Sequence, residues 1–341
     1  MSQILPRLRG VLVAALGMGV PVIAGLLLGH ADAGFAIGLG AVLLSGASTT
    51  ATTPAEEDAQ PWAAIIPAML AVTLATLIAG HVWTDAAMIG LASVAALLSG
   101  YSRPVAIGAI RFGIYLVLGV GFLDDVAQGR HGAALVFGLG ALWNIALRML
   151  LVDRAPVQAV PAKPARVPTP AQRRAHFRKT LRTLAGWQFA ARLAIGLSVA
   201  SVIRHAWPDR HFFWIMLTVA LLTQRVLEHL PTKTVHRLLG TILGVGATWI
   251  IVANVTSLSI IAICACVLAA LVPLARARSY LLYSIVVTPL ILLVSDLGKP
   301  IAVALLTDRI VATIIGGVLV VAGNVMADWL LQRAAPTPRA A

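Results

Sequence analysis

The stretch GWQFAARLAIGLSVA, residues 186 to 200, decides the fold. Apart from Gln188, Arg192 and Ser198, every position is apolar or glycine, and the apolar character extends over about 184 to 204. A bilayer core about 30 Å thick needs roughly 20 apolar residues in helical form, so the stretch reads as a membrane span. An arginine at the centre of such a span costs about 2.5 to 3.5 kcal/mol on insertion scales and turns toward a cavity or a partner. The same fifteen residues thus predict a membrane helix and an inward-facing cation.

Working outward, the whole chain has this character. Of its 341 residues 59% are hydrophobic and 11% charged, against about 25% charged in soluble domains, and the mean hydropathy is +0.91. Six apolar runs precede a polar break, at about 8–29, 34–49, 62–80, 84–99, 104–122 and 132–152. Six more follow it, at about 184–204, 211–224, 236–254, 257–274, 279–296 and 301–331. The first run is longer than the 7 to 15 residues of a signal-peptide core and is expected to be a retained span. Between the two sets lies PVQAVPAKPARVPTPAQRRAHFRKTLR, residues 156–182, whose Pro, Ala and basic content predicts a linker.

A net charge of +13 in a soluble protein would point to nucleic acid, but here it tracks topology. With the N-terminus inside, Arg7, Arg9, Arg103, Arg148, Arg154, the linker bases, Arg225, Lys233, Arg237, Arg276, Arg278, Arg333 and Arg339 fall on the cytoplasmic side. Only Arg130, Arg204, Arg210 and Lys299 fall outside. No nucleic-acid partner is expected. The halves also align weakly: GFAIGLGAVLLSG (34–46) matches FFWIMLTVALLTQ (212–224) in pattern, each after a histidine, and Asn144 and Asn324 sit in the last span of each half. Six spans per half give both halves one orientation, a parallel repeat about an axis along the membrane normal.

The expected architecture is therefore an all-α polytopic membrane protein, with about twelve transmembrane helices as two parallel six-helix repeats. Residues 1–153 form the first half, 154–183 a basic cytoplasmic linker, 184–335 the second half and 336–341 a tail.

Candidate chemistry lies with the intramembrane charges. Arg192 shares a helix face with Gln188 and Gly196, polar then small, as a pore-lining stripe would be; an anion contact is expected first and a structural pair second. Arg111 shares its face with Gly108 and Tyr115, where a guanidinium can grip a carboxylate through two hydrogen bonds while the phenol ring stacks on a substrate. Arg309 and Asp308 lie near the start of a long run and are expected at the outer headgroup zone, Asp308 carrying a coupling proton if buried. His211 and Trp214 open a span at its outer end, where aromatics anchor the interface. Arg237 is expected at the inner end of the next span, chiefly as a topology signal.

Gly240 and Gly244 form a small-residue packing pair. Cys264 and Cys266 are expected as packing residues, and the carboxylates of Glu56-Glu57-Asp58 and Asp124-Asp125 as solvated loop groups. No phosphate-binding G-x-x-x-x-G-K-[ST] loop or HExxH motif is present, so neither cofactor, metal nor catalytic group is expected, and transport would be secondary, channel-like or partner-driven.

HAWPDRHFFWIMLTVALLTQ (205–224), followed by VHRLLGTILGVGATWII (235–251), resembles the fusaric acid resistance (FUSC) family and its aromatic acid exporter relatives. The matching elements are His211 and Trp214, Thr218 and Gln224, then Arg237 with Gly240-Thr241 and Gly244. The first half has a worn version without the tryptophan or the Arg-x-x-Gly-Thr. The resemblance implies an inner-membrane exporter of aromatic carboxylic acids, with a periplasmic adaptor as partner; plant malate-permeable anion channels are more distantly similar. Two features depart from the family pattern: the connection between halves is only about 30 residues, and Arg225 stands where a proline often follows the glutamine.

The function expected is proton-driven export of organic anions, with Arg192, Arg111, Gln188, Tyr115, Trp214, His211 and Arg237 lining the substrate path and Asp308 coupling it to protons. An anion channel of related fold and a non-transporting membrane scaffold are the alternatives. Monomeric and homo-oligomeric forms are both open.

Overall fold

The structure is a computed structural model and describes residues 4–44, 54–125, 130–151, 169–223, 230–255, 257–295 and 303–334. The described residues form thirteen α-helices and no strand. In the first half these are α1 (Ile4–Leu27), α2 (Ala31–Leu44), α3 (Pro54–Ile78), α4 (Thr84–Leu98), α5 (Arg103–Asp125) and α6 (Arg130–Leu151). After α7 (Pro170–Thr180) come α8 (Leu184–Ala206), α9 (Phe213–Leu222), α10 (Leu230–Asn254), α11 (Leu258–Arg278), α12 (Tyr280–Ser295) and α13 (Val303–Ala334). Every expected apolar run falls on a helix. Six of these helices are long and apolar enough to cross a membrane, and six shorter apolar helices accompany them.

The bundle has an apolar core and an apolar outer surface, with its buried polar side chains gathered at a few helix seams. On α10, Arg237, Thr241 and Thr248 are buried, while Val235, Leu239, Ile242, Leu243 and Ile250 are exposed. On α11 the exposed row is Ile260, Ile263, Val267, Leu271 and Leu274, against a buried row of Ala262, Ala265 and Ala269. Apolar surface this continuous marks contact with membrane. The chain is a multi-pass α-helical membrane protein.

Two departures from the expected layout stand out. Part of the linker is ordered: Thr169 caps α7 through a reciprocal pair of hydrogen bonds with Gln172, and Pro170 occupies the first helical turn. Nothing on α7 is buried, yet the Phe177 ring meets Tyr101 edge-on at 5.8 Å, which lays the helix against the end of α4 and the start of α5. The acidic clusters expected in loops lie instead within helices, Glu56-Glu57-Asp58 in the first turns of α3 and Asp124-Asp125 in the last turn of α5. Carboxylates near a helix start are favoured by the helix dipole, which accounts for the first of these.

Packing depends on small residues. Gly240 and Gly244 bring α10 onto α12 against Ser284 and Thr288, and Gly316 brings α13 onto Thr218 of α9. The helix contacts recur in the two halves: α1 packs on α2 and α6, as α8 packs on α9 and α13; α3 packs on α5 and α6, as α10 packs on α12 and α13. Between the halves, α1 packs on α11 and α4 on α8, while α9 leans on α5 and α2 on α12.

A Cβ at Gly240 would press on the Ser284 side chain and stand 3.1 Å from the Leu281 carbonyl oxygen, where backbone cannot yield. Gly240→Val is therefore expected to destabilise by about 1–3 kcal/mol, read as a lower melting temperature of the purified protein in detergent, whereas valine at Gly246, which meets nothing within 4 Å, leaves it unchanged.

Candidate functional site

At ten residues α9 is about 15 Å long, half the depth of a bilayer core. Its sequence FWIMLTVALL is apolar on all sides, and a helix apolar all round is a buried one; all but Leu221 are buried. Packed by α8, α13 and α5, it carries Trp214 into the interior at 1% exposure. Trp214 is thus not an interface anchor, as its position at a span end had suggested.

Over the Trp214 ring lies the guanidinium of Arg309, its carbon 3.9 Å from the ring centroid. Arg309 is 1% exposed, a correction to the expected headgroup placement: the seam of α9, α10 and α13 receives it, and its side chain turns inward rather than snorkelling. Arg237 is also 1% exposed, so this residue, too, sits inside the bundle rather than at a surface. The two guanidinium groups are electrostatic neighbours, with Tyr280 between α10 and α13. Among the described residues no carboxylate accompanies them. Nε, Nη1 and Nη2 of Arg309 and Nε and Nη2 of Arg237 have no hydrogen-bond partner, and neither do the buried hydroxyls of Thr241 and Thr288, while Ser284 and Arg237 both approach the Tyr280 hydroxyl.

Buried polar groups without partners are rare in native structures and mark a missing ligand, ion or water. Here the unpartnered arginine nitrogens are donors on cations, and the adjoining hydroxyls can also donate. Such a pocket is complementary to an anion. Stacking on tryptophan offsets part of the burial cost, since a desolvated cation–π contact is worth about 2 kcal/mol, but it does not neutralise the charge.

Asp308 precedes Arg309, yet faces away from it. Its carboxylate, 1% exposed, accepts from Arg210 Nη1 at 2.9 Å and from the His211 backbone N–H at 3.1 Å, with His211 Nδ1 at 3.2 Å. Successive helical residues diverge by about 100°, so one helix presents an acid to the α8–α9 turn and a cation to the interior. A cavity of about 240 Å³ adjoins Asp308 and Arg210, lined also by Trp207 and Phe212.

The remaining sequence candidates lie apart from this pocket. Arg192 is 8% exposed and donates to Asn324 Oδ1 on α13 and, through Nε, to the Gln188 carbonyl oxygen at 3.3 Å. Arg111 and Tyr115 are neighbours on α5, with Tyr115 buried against Phe137 at a ring separation of 5.4 Å. Arg148 and Arg276 approach Arg111 electrostatically. Sequence reasoning names Arg309 among the intramembrane charges but assigns it to the headgroup zone and gives it no substrate contact; the signal for burial was an arginine inside an apolar run too long for one crossing. Gln224 and Arg225 lie outside the described residues.

The class this defines is a polytopic α-helical membrane protein with a buried, unneutralised cationic pocket. Residues 196–323, somewhat more than a third of the chain, match the family model described as fusaric acid resistance protein-like. Comparison with curated proteins and with solved structures gives no match. The matched segment bears out the resemblance read from 205–224 and 235–251, and it contains Trp214, Arg237, Ser284 and Arg309. It points to membrane transport or efflux of some kind rather than to an enzyme.

A cation buried without a counter-ion opposes folding, so replacing it with an apolar residue of similar volume is neutral or stabilising. Arg309→Met is expected to melt at or above the wild-type temperature in the absence of ligand. Asp308→Ala, which strips the acceptor from the part-buried His211 N–H, is expected to lose about 1 kcal/mol. A strongly destabilised Arg309→Met would show the guanidinium to be a structural strut.

Proposed function

We propose that the protein exports organic anions, specifically aromatic carboxylic acids, across the bacterial inner membrane, drawing on the proton gradient. The observation that carries this reading is the Arg237–Arg309 pair, buried with no carboxylate beside it among the described residues and backed by Trp214. A carboxylate supplies the missing charge through paired N–H···O bonds to a guanidinium, and a ring beside it finds the Trp214 and Tyr280 faces. Arg192 with Gln188, and Arg111 with Tyr115, serve as further contacts along the path. Asp308, buried and joined to His211 beside the 240 Å³ cavity, is the coupling group at the outer end.

The architecture proposed for this activity has twelve spans in two parallel repeats, residues 1–153 and 184–335, with the basic 154–183 segment and both termini in the cytoplasm. The recurring helix contacts of the two halves, and the reciprocal packing of α1 on α11 and α4 on α8, support it. So does the shortness of α2 and α9, the second helix of each half, since interrupted or short membrane helices at matching positions commonly flank a transporter's binding site. A periplasmic adaptor and self-association are compatible with this arrangement.

Uptake of labelled benzoate into inverted vesicles tests the reading. Wild type is expected to accumulate it under an imposed proton gradient and to stop when a protonophore is added. Losing a charge-assisted contact worth about 1.5–3 kcal/mol weakens binding some 10- to 100-fold, so Arg309→Gln and Arg237→Gln are expected to lose uptake at low benzoate. Arg192→Gln with undiminished uptake would remove Arg192 from the path. Current that follows the anion's equilibrium potential and ignores the pH gradient would make the protein a channel.

A further inference from the structure

Three cation–ring contacts trace a line from an open end of the bundle to the buried pocket. At the α11–α12 turn, the exposed Arg276 holds its guanidinium carbon 4.6 Å above the Tyr283 ring. The Tyr283 ring is 6.1 Å from that of Tyr280. Over Tyr280, at 5.1 Å, stands the ammonium of Lys233, which also donates to the Leu221 carbonyl oxygen at 3.2 Å, at the end of the short helix α9. Lys233 and Arg237 are electrostatic neighbours one helical turn apart on α10, and Arg237 leads to Arg309 over Trp214. Exposure falls along the series, from exposed Arg276 through half-buried Lys233 to Arg237 and Arg309 at 1%.

We propose that Arg276 with Tyr283, and then Lys233 with Tyr280, are two successive binding stations through which an aromatic carboxylate enters the Arg237–Arg309 pocket; this rests on the anion-transport reading above. Each station offers what such a molecule carries: a cation for the carboxylate and an aromatic face for the ring. None of these cations is paired with an acid among the described residues, so no salt bridge must break for a ligand to bind. The cations instead rest on rings, and a cation–π contact at a wet site, worth far less than a desolvated charged hydrogen bond, yields easily. Several weak sites in series are what passage requires, since each must be attractive enough to enter and weak enough to leave. With α11 ending and α10 and α12 beginning at this end, and the bases gathered there, the series opens on the cytoplasmic side in the proposed topology.

The test follows binding of 2-naphthoate to the full-length protein in nanodiscs by stopped-flow quenching of tryptophan emission, the Trp214 part being that lost in Trp214→Phe. Charges at a rim act mainly on association rate. Arg276→Gln and Lys233→Gln are therefore expected to slow the Trp214 quench about tenfold and to flatten its dependence on ionic strength, with the amplitude at saturation unchanged. Arg276→Lys is expected to restore most of the rate, and Tyr283→Phe, which keeps the ring, to match wild type. Wild-type rates in both Arg276→Gln and Lys233→Gln would overturn the stations and leave the buried site standing, their charges then serving topology alone. Absence of any quench in the wild type, or a full quench in Arg309→Gln, would overturn the buried anion site and the stations with it.

Discussion

In hydrocarbon a polar group can only turn inward, and the organisation of this bundle follows from that constraint. Backbone groups are satisfied within each helix, and the side chains that cannot be solvated by lipid gather along the seams. α10 shows the consequence most plainly, with leucine and isoleucine outward and arginine, threonine and glycine inward. The glycines are part of the same solution. Gly240 and Gly244 let α12 approach closely enough that Ser284 and Thr288 are sealed from lipid, and that sealing leaves their hydroxyls available to something held between the helices.

The treatment of acids and bases is not symmetrical. Two described acids are tied down near the α8–α9 turn: Asp308 is held by Arg210 and His211, and Asp85 receives Ser201 Oγ at 2.5 Å and Arg204 at 3.4 Å. Both pairs fasten the end of α8 or the turn after it to a neighbouring helix. With these two acids held elsewhere, no described carboxylate reaches Arg237 or Arg309. A region that is positive, dry and lined by rings attracts aromatic anions and repels cations, whatever the route by which they arrive.

The apolar helices were legible because apolar run length depends on composition alone, and α7 carries a readable capping box in Thr169 and Gln172. Trp214 and Arg237 were legible as candidates through the family pattern, but their depth was not. A position near a helix end says how far along the bilayer a residue lies, not whether it faces lipid, headgroup or protein. Arg309 suffered most, since apolar residues lie on both sides of the Thr307-Asp308-Arg309 step and nothing in VALLTDRIVATIIGG distinguishes the face toward α9 from the face toward lipid. Its partner Trp214 lies 95 positions away, and only the fold brings the two together.

Arg192 is the instructive intermediate case. It is buried at 8% exposure, as an inward-facing cation should be, and its side chain donates to the neutral Asn324, with Asp328 an electrostatic neighbour. The first half has a similar pairing, in which Asn144 Oδ1 accepts from Arg148 while its amide donates to the Ala41 carbonyl oxygen at 2.9 Å. An aspartate in either place would orient the guanidinium equally well and cancel its charge. An asparagine orients it and leaves the charge in force, so each pairing fixes a cation's direction without lowering the positive potential of the interior. That preference for amide over carboxylate, in a chain with 26 basic and 13 acidic residues, makes retained positive charge inside the membrane a property of the whole bundle and not of one pocket.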